Sequence, residues 1–356
     1  MRQELRSHIL VTLLVAFCLG FGISSPLHAQ SYAIGADVSF LAKCEQDGVV
    51  FKEAGQPKDV LILLREHHYN WVRLRVFHDP SMSADRLPND LPYTLALAKR
   101  AKGLGFRLLL DLHYSDSWAD PEKQFPPAAW SKLKHQQLVQ QVFDYTRDVI
   151  SAFTQAGVMP EMVQVGNEIT YGMLWPDGKL PDNWENLADL LKAGISGVDA
   201  GRGSQPKPRI MIHIERGGDY DAAVSFFDNL IAHRVPFDIM GLSYYPFWHG
   251  NLTKFRDNLH DLALRYRHPI VIVETAYNWN PGSFGNKKGE FSESGEGQKA
   301  FLMAVDEAVR AIPNGLGQGV FWWEPAAEDT LRGRSFFDEE GNVLPVISAF
   351  DRAPAR

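Results

Sequence analysis

The stretch PYTLALAKRAKGLGFRLLLDLHYSDSW, residues 92–118, contains one complete unit of a repeating architecture. Pro92–Gly103 sets Leu95, Leu97 and Ala98 three and four positions apart in the pattern of an amphipathic helix. Gly103-Leu104-Gly105 closes it, because glycine readily adopts the left-handed conformation that ends helices. Phe106–Leu112 then runs apolar on consecutive positions, as a strand covered on both faces does. At its exit stand His113, Ser115, Asp116 and Trp118, a cluster of polar and aromatic residues where the apolar run stops.

The unit recurs along the chain. Strands are expected at Ile34–Ser39, Trp71–Phe77, Phe106–Leu112, Met162–Gly166, Arg209–Ile214, Phe237–Ser243, Ile270–Val273 and Gly319–Trp323. Between them, helical patterns cover Lys58–His68, Pro92–Gly103, Leu133–Gln155, Trp184–Asp199, Tyr220–His233, Leu252–Arg267 and Gln298–Ala311. No low-complexity linker or change of composition divides the chain. Eight alternating strand–helix units predict an α/β fold, a (β/α)₈ TIM barrel in a single domain over residues 30–356. The competing open, doubly wound sheet normally carries a glycine-rich phosphate loop after an early strand, and neither G-x-G-x-x-G nor G-x-x-x-x-G-K-[ST] occurs.

Residues 1–29 stand apart. Arg2 and Arg6 precede the apolar run Ile9–Leu19, and Ser24-Ser25-Pro26-Leu27-His28-Ala29 ends on a small residue, the pattern of a secretory signal peptide. The run is shorter than the ~20 residues of a spanning helix, which favours cleavage over an uncleaved anchor. An exported protein, secreted or periplasmic and not membrane-bound after cleavage, is therefore expected. Cys18 leaves with the signal, so Cys44 has no partner for an internal disulfide and reads as a buried apolar residue. The 356 residues are 45% hydrophobic and carry a net charge of −7, which removes the basic footprint of a nucleic-acid binder. A monomer is expected.

Barrel active sites are built at the C-terminal ends of the strands. Here those exits read Arg73-Leu74-Arg75-Val76-Phe77-His78, Asp111-Leu112-His113-Tyr114-Ser115-Asp116-Ser117-Trp118, Gln164-Val165-Gly166-Asn167-Glu168, His213-Ile214-Glu215, Ser243-Tyr244-Tyr245-Pro246-Phe247-Trp248-His249, Val271-Ile272-Val273-Glu274-Thr275 and Phe321-Trp322-Trp323-Glu324. Glu168 and Glu274 follow strands four and seven, on opposite sides of a barrel mouth. A pair of carboxyl groups flanking a bond is what glycoside hydrolysis requires: one protonates the leaving oxygen, while the other attacks the anomeric carbon or activates water. Trp118, Trp248, Trp279 and Trp323 near the exits suit stacking on sugar faces or filling of the core.

With these stretches the chain resembles family 53 of the glycoside hydrolases, the endo-β-1,4-galactanases, within the clan of retaining (β/α)₈ glycosidases. The resemblance rests on Gly35–Ser39, Trp71–Val76, Asp111–Pro121, Val163–Glu168, Gly241–Gly250 and Val273–Tyr277, in order over nearly the whole mature chain. It implies that Glu168 is the acid/base and Glu274 the nucleophile. Asn167 is then the partner of the sugar 2-hydroxyl, and Arg75 the cation that keeps the nucleophile ionised. Tyr245 is the phenol oriented toward Glu274, with Tyr244 as the alternative. His113 and His213 line the sugar subsite, and Trp118 and Trp323 stack on it. Some members carry an acidic calcium loop after strand seven, but Asn278–Gly285 holds no Asp or Glu. Calcium wants several oxygen ligands including carboxylates, so no metal or cofactor is expected.

The implied reaction is cleavage of β-1,4-galactosidic bonds in the (arabino)galactan side chains of pectin. Two alternatives stay open at this level. A related retaining barrel could cut another β-1,4-linked polysaccharide, since fold does not choose a substrate, or the barrel could bind carbohydrate without cutting it.

Overall fold

The computed structural model describes residues 32–281, 289–327 and 333–351. Barrel strands β1 (Ala33–Asp37), β2 (Trp71–Val76), β3 (Arg107–Leu112) and β4 (Met162–Val165) are followed by β5 (Arg209–Ile214), β6 (Ile239–Tyr244), β7 (Ile270–Thr275) and β8 (Gly317–Trp323). They close in the order β1-β8-β7-β6-β5-β4-β3-β2, every pair parallel. All eight expected strands are present. β7 runs two residues further than expected, so Glu274 belongs to the strand itself. Tyr32–Arg356 forms one compact unit, and the expected signal peptide lies outside the described residues.

Helices α1 (Val60–Glu66), α2 (Leu91–Gly103), α3 (His135–Gln155), α4 (Trp184–Gly201), α5 (Tyr220–Ala232), α6 (Leu252–Tyr266) and α7 (Gly295–Arg310) lie between consecutive strands. After β8 a short 3₁₀ segment, Pro345–Phe350, packs on α7 where an eighth helix would stand. Several starts are capped by polar side chains: Asp59 accepts from Leu61 N at 2.8 Å, Asp90 from Tyr93 N at 2.8 Å, and Asn251 from Lys254 N at 2.9 Å. Each such cap contributes about 1 kcal/mol.

Alternation along the strands sorts side chains into two cores. On β2 the outward positions Val72, Leu74 and Val76 join the layer between strands and helices. The inward Trp71 joins Ala33, Leu109, Met162, Met211, Ile239, Val271 and Phe321, which fill the lower barrel. Phe321 fits because position 35 is glycine: a Cβ there would lie 2.1 Å from its ring. The same inward row turns polar toward the C-terminal ends, with Asp37, Arg73, Arg75, Asp111, Gln164, His213 and Ser243 all buried. An apolar plug below and a polar layer above confine any ligand to the C-terminal mouth.

Candidate active site

Arg73 organises the floor of the mouth. Its Nη1 lies 2.7 Å from Asp37 Oδ2 and 2.8 Å from Glu274 Oε1. Its Nη2 donates to Asp111 Oδ2 at 2.7 Å and Asn167 Oδ1 at 2.9 Å. A planar guanidinium with five N–H groups is the one side chain that can serve so many fixed acceptors at once. Glu274 is 6% exposed, and its Oε2 accepts the Tyr245 phenol proton at 3.0 Å. Tyr244, one residue earlier and on the other strand face, instead donates to Gly250 O and stacks on Phe255 at 3.9 Å. The structure thus selects Tyr245 over Tyr244.

Glu168 faces Glu274 from the end of β4. The chain turns there through Gly166 at φ 83° and Glu168 itself at φ 48°, ψ 51°. Left-handed backbone costs a non-glycine residue about 1–2 kcal/mol, and such strain gathers where a side chain must be aimed. Gln124 holds the turn by donating to Asn167 O at 2.7 Å. Ser243 Oγ lies 2.7 Å from Glu168 Oε1, within hydrogen-bond reach.

The two carboxyl groups sit in different fields. Burial holds Glu168 well above the usual carboxylate range, and the charges of Glu274, Glu215 and Asp120 push it the same way. Burial raises Glu274 too, and Asp37 and Asp111 add to it, but Arg73 and Arg75 oppose them, so it stays above the usual carboxylate range by less than Glu168 does. Glu274 therefore ionises first and Glu168 keeps its proton, the division of roles that acid catalysis with a separate anion demands.

A cavity of 780 Å³ opens above the pair, within the size range of small-ligand sites. His113, Trp118, Asn167 and Trp323 line it, as expected from sequence. Asn167 spends Oδ1 on Arg73 and one Nδ2 hydrogen on Ala119 O at 2.9 Å, which leaves the other hydrogen for a ligand. The rings of Trp118 and Trp323 lie 6.2 Å apart, tilted at 58° to each other, and both are partly exposed.

Two expectations are corrected. Arg75 favours the Glu274 carboxylate by its charge, but the hydrogen bond expected between them is not made. It pairs with Glu324 and with Asp37 at 3.3 Å, and its guanidinium lies 4.8 Å from the rings of both Phe40 and Trp118. Two residues further along β2 than Arg73, it is one layer higher and braces the aromatic wall; Arg73 faces Glu274. His213 is fully buried and does not line the cavity. It lies behind Asn167 and Ser243, because its inward position is one layer deeper than the strand exit.

Sequence reading placed Arg73, Asp111, Gln164 and Ser243 at strand exits but gave them no role, and it missed Arg334, whose guanidinium lies 5.3–5.8 Å from the rings of Trp323, Trp248 and Tyr245. The inward parity Trp71-x-Arg73-x-Arg75 is the signal that could have found Arg73. Among the described residues no group of three or more His, Cys, Asp or Glu is placed to hold a metal, and residues 282–288 of the loop after β7 lie outside them. Cys44 is buried, with Sγ 3.4 Å from Ala326 O.

The contrast between the arginines is measurable. Arg73→Lys keeps the charge but not the fork, and is expected to lower kcat/KM by about 10²-fold through misplacement of Glu274. Weaker support for the anion also moves the acidic limb of the pH profile upward, by about one unit. Arg75→Lys is expected to shift that limb less, and to weaken substrate binding through the aromatic wall. Equal limb shifts in the two variants would refute the assignment.

Known proteins resemble this chain in both sequence and structure. The profile of Glycosyl hydrolase family 53 matches residues 33–350. An uncharacterized protein from the bgaB 5′ region of Niallia circulans is 43% identical over 352 residues, covering 91% of this chain and 94% of its own. Arabinogalactan endo-beta-1,4-galactanase A of Aspergillus niger is 37% identical over 338 residues, covering 89% of this chain and 93% of its own. A solved fungal beta-1,4-galactanase superposes with a TM-score of 0.82 at 32% identity, over 90% of this chain and 99% of that one. The family match spans the barrel from its first strand to its last 3₁₀ segment and takes in both opposed glutamates, so the chain is a glycoside hydrolase and belongs to glycosyl hydrolase family 53.

Proposed function

We propose that this enzyme is an endo-acting β-1,4-galactanase that cuts (arabino)galactan side chains of pectin with retention of anomeric configuration. The observation that carries the chemistry is the unequal pairing of the two carboxyl groups. Glu274 has a guanidinium at 2.8 Å and a phenol at 3.0 Å, whereas Glu168 has a serine hydroxyl and acidic neighbours. The galactan preference is supported by the relatives of 32–37% identity named as galactanases.

In the first step the Glu274 carboxylate attacks the anomeric carbon while Glu168 gives its proton to the departing glycosidic oxygen. In the second, the Glu168 carboxylate takes a proton from water, which displaces Glu274 from the same carbon and regenerates both groups. Asn167 offers its free Nδ2 hydrogen to the sugar 2-hydroxyl, and Trp118 and Trp323 offer ring faces. The chemistry needs only the two carboxyl groups and water; calcium in the loop after β7 forms no part of it. The enzyme is exported after loss of residues 1–29, to the periplasm or the exterior, and acts as a monomer. Among the described residues no helix is long and apolar enough to cross a membrane.

The test is wild-type protein on galactan, mannan, xylan and mixed-linkage β-glucan, with fresh products followed by proton NMR. Galactan is expected to be the best substrate, and its products are expected to appear first as the β-anomer. Initial α-anomer would exclude retention, and faster cleavage of another polysaccharide would move the substrate assignment.

A further inference from the structure

Behind Glu168 lies a buried pair to which the mechanism above gives no role. Ser243 on β6 and His213 on β5 are both 0% exposed. Ser243 Oγ is 2.7 Å from Glu168 Oε1 and 2.8 Å from His213 Nε2. His213 Nδ1 is 3.0 Å from Asn167 Oδ1 and 3.1 Å from Gln164 Nε2. Arg73 then joins Asn167 to Glu274, so hydrogen-bonding groups run without a break from one carboxyl to the other through the protein.

Hydrogen counting sets the direction of this chain. Asn167 is oriented by Arg73 at its oxygen and Ala119 O at its nitrogen, so the atom facing His213 is an acceptor. A bare Nδ1 3.0 Å from that oxygen would set two acceptors against each other; an N–H there donates to it. Gln164 does not need Nδ1, because its Nε2 hydrogens reach Asp111 Oδ1 at 2.8 Å and Asn167 Oδ1 at 2.9 Å. Burial, together with the charges of Arg73, His113 and His249, keeps the His213 ring neutral. Its Nε2 is then a pure acceptor, aimed at the Ser243 hydroxyl.

We propose that Ser243 is a hydroxyl rotor that follows the proton of Glu168, with His213 as the fixed acceptor against which it turns. When Glu168 is protonated, Ser243 donates to His213 Nε2 and its oxygen accepts from the carboxyl. When the proton has gone to the leaving group, the hydroxyl swings and donates to the carboxylate. No proton other than the one used in catalysis is exchanged: the Glu168 carboxyl turns about its Cγ–Cδ bond to carry that proton from Ser243 to the leaving oxygen, and the Ser243 hydroxyl turns about Cβ–Oγ to donate to the carboxylate left behind. Both residues are positioning residues, since neither lines the cavity.

The proposal rests on Glu168 being the acid/base, and its test is a pair of pH profiles of opposite sign. The groups acting on Glu168 from around it are Glu274 on β7, Glu215 beyond β5, Asp120 beyond β3 and Tyr245 beyond β6, and none is altered. Ser243→Ala removes the donor to the carboxylate, so the alkaline limb of kcat/KM is expected to move up by about one unit, the usual worth of a hydrogen bond to a charged group. kcat on polysaccharide falls about tenfold with KM little changed, and Ser243→Thr restores both. His213→Phe removes the competing acceptor and leaves Ser243 donating permanently to Glu168, so the alkaline limb moves down. Limb shifts of the same sign, or no shift in a folded Ser243→Ala protein, would overturn the rotor. If the Phe variant fails to fold, the upward shift and its rescue by threonine decide alone. A wild-type protein without glycosidase activity would instead sink the functional reading on which the rotor rests.

Discussion

Glu274→Ala is expected to reduce kcat on galactan by about 10⁴-fold or more, with KM nearly unchanged. The substitution removes the atom that would bond to the anomeric carbon, and nothing else on β7 can replace it. It also leaves Arg73 with two carboxylates, Asp37 and Asp111, instead of three, so the buried cation stays compensated and the fold holds. The thermal midpoint should stay within a few degrees of wild type. The vacated space next to Arg73 should admit a small anion, so azide or formate is expected to restore turnover and, for azide, to give an α-configured glycosyl azide. Near-normal turnover of a folded Glu274→Ala protein would remove the nucleophile assignment.

Glu168→Ala is expected to cost about 10²–10⁴-fold on polysaccharide, the range of general acid–base catalysis. The signature lies in which substrates suffer. An alkoxide leaving group needs the proton, whereas an activated phenolate does not, so a dinitrophenyl glycoside should lose far less in the bond-breaking step. Azide added to this variant should yield a β-configured product, because attack occurs on the face opposite Glu274 after the covalent intermediate has formed. The pair of variants thus separates the roles by product configuration, which loss of folding cannot imitate. The alkaline limb of the pH profile, set in wild type by the raised Glu168 carboxyl, should vanish in Glu168→Ala.

Much of this site was legible in the chain, and for reasons that are local. The apolar runs and their intervening helical periodicities reflect burial of each element against its immediate neighbours, so all eight strands appeared where expected. Glu168 and Glu274 were visible because each stands at the end of an apolar strand, where a buried carboxyl needs a functional reason. Trp118, Trp323, Asn167 and His113 were implied by the resemblance to the family, and all four line the cavity.

What the sequence could not decide is which inward residue lies level with which. Arg73 and Arg75 share a strand and an inward parity, and only their height separates them. That height relative to Glu274 depends on the stagger of strands around a closed barrel, a property of all eight together. The closed barrel sets Arg73 beside Glu274 and lifts Arg75 to the aromatic rim, and it sinks His213 one layer below the mouth. The sequence by itself determined the repeating units, the barrel they build and the two carboxyl groups, because local periodicity and burial are written residue by residue. The tertiary structure alone decided the hydrogen-bonded path from Glu168 through Ser243, His213, Asn167 and Arg73 to Glu274, because its five links join residues on five different strands that meet only when the sheet closes.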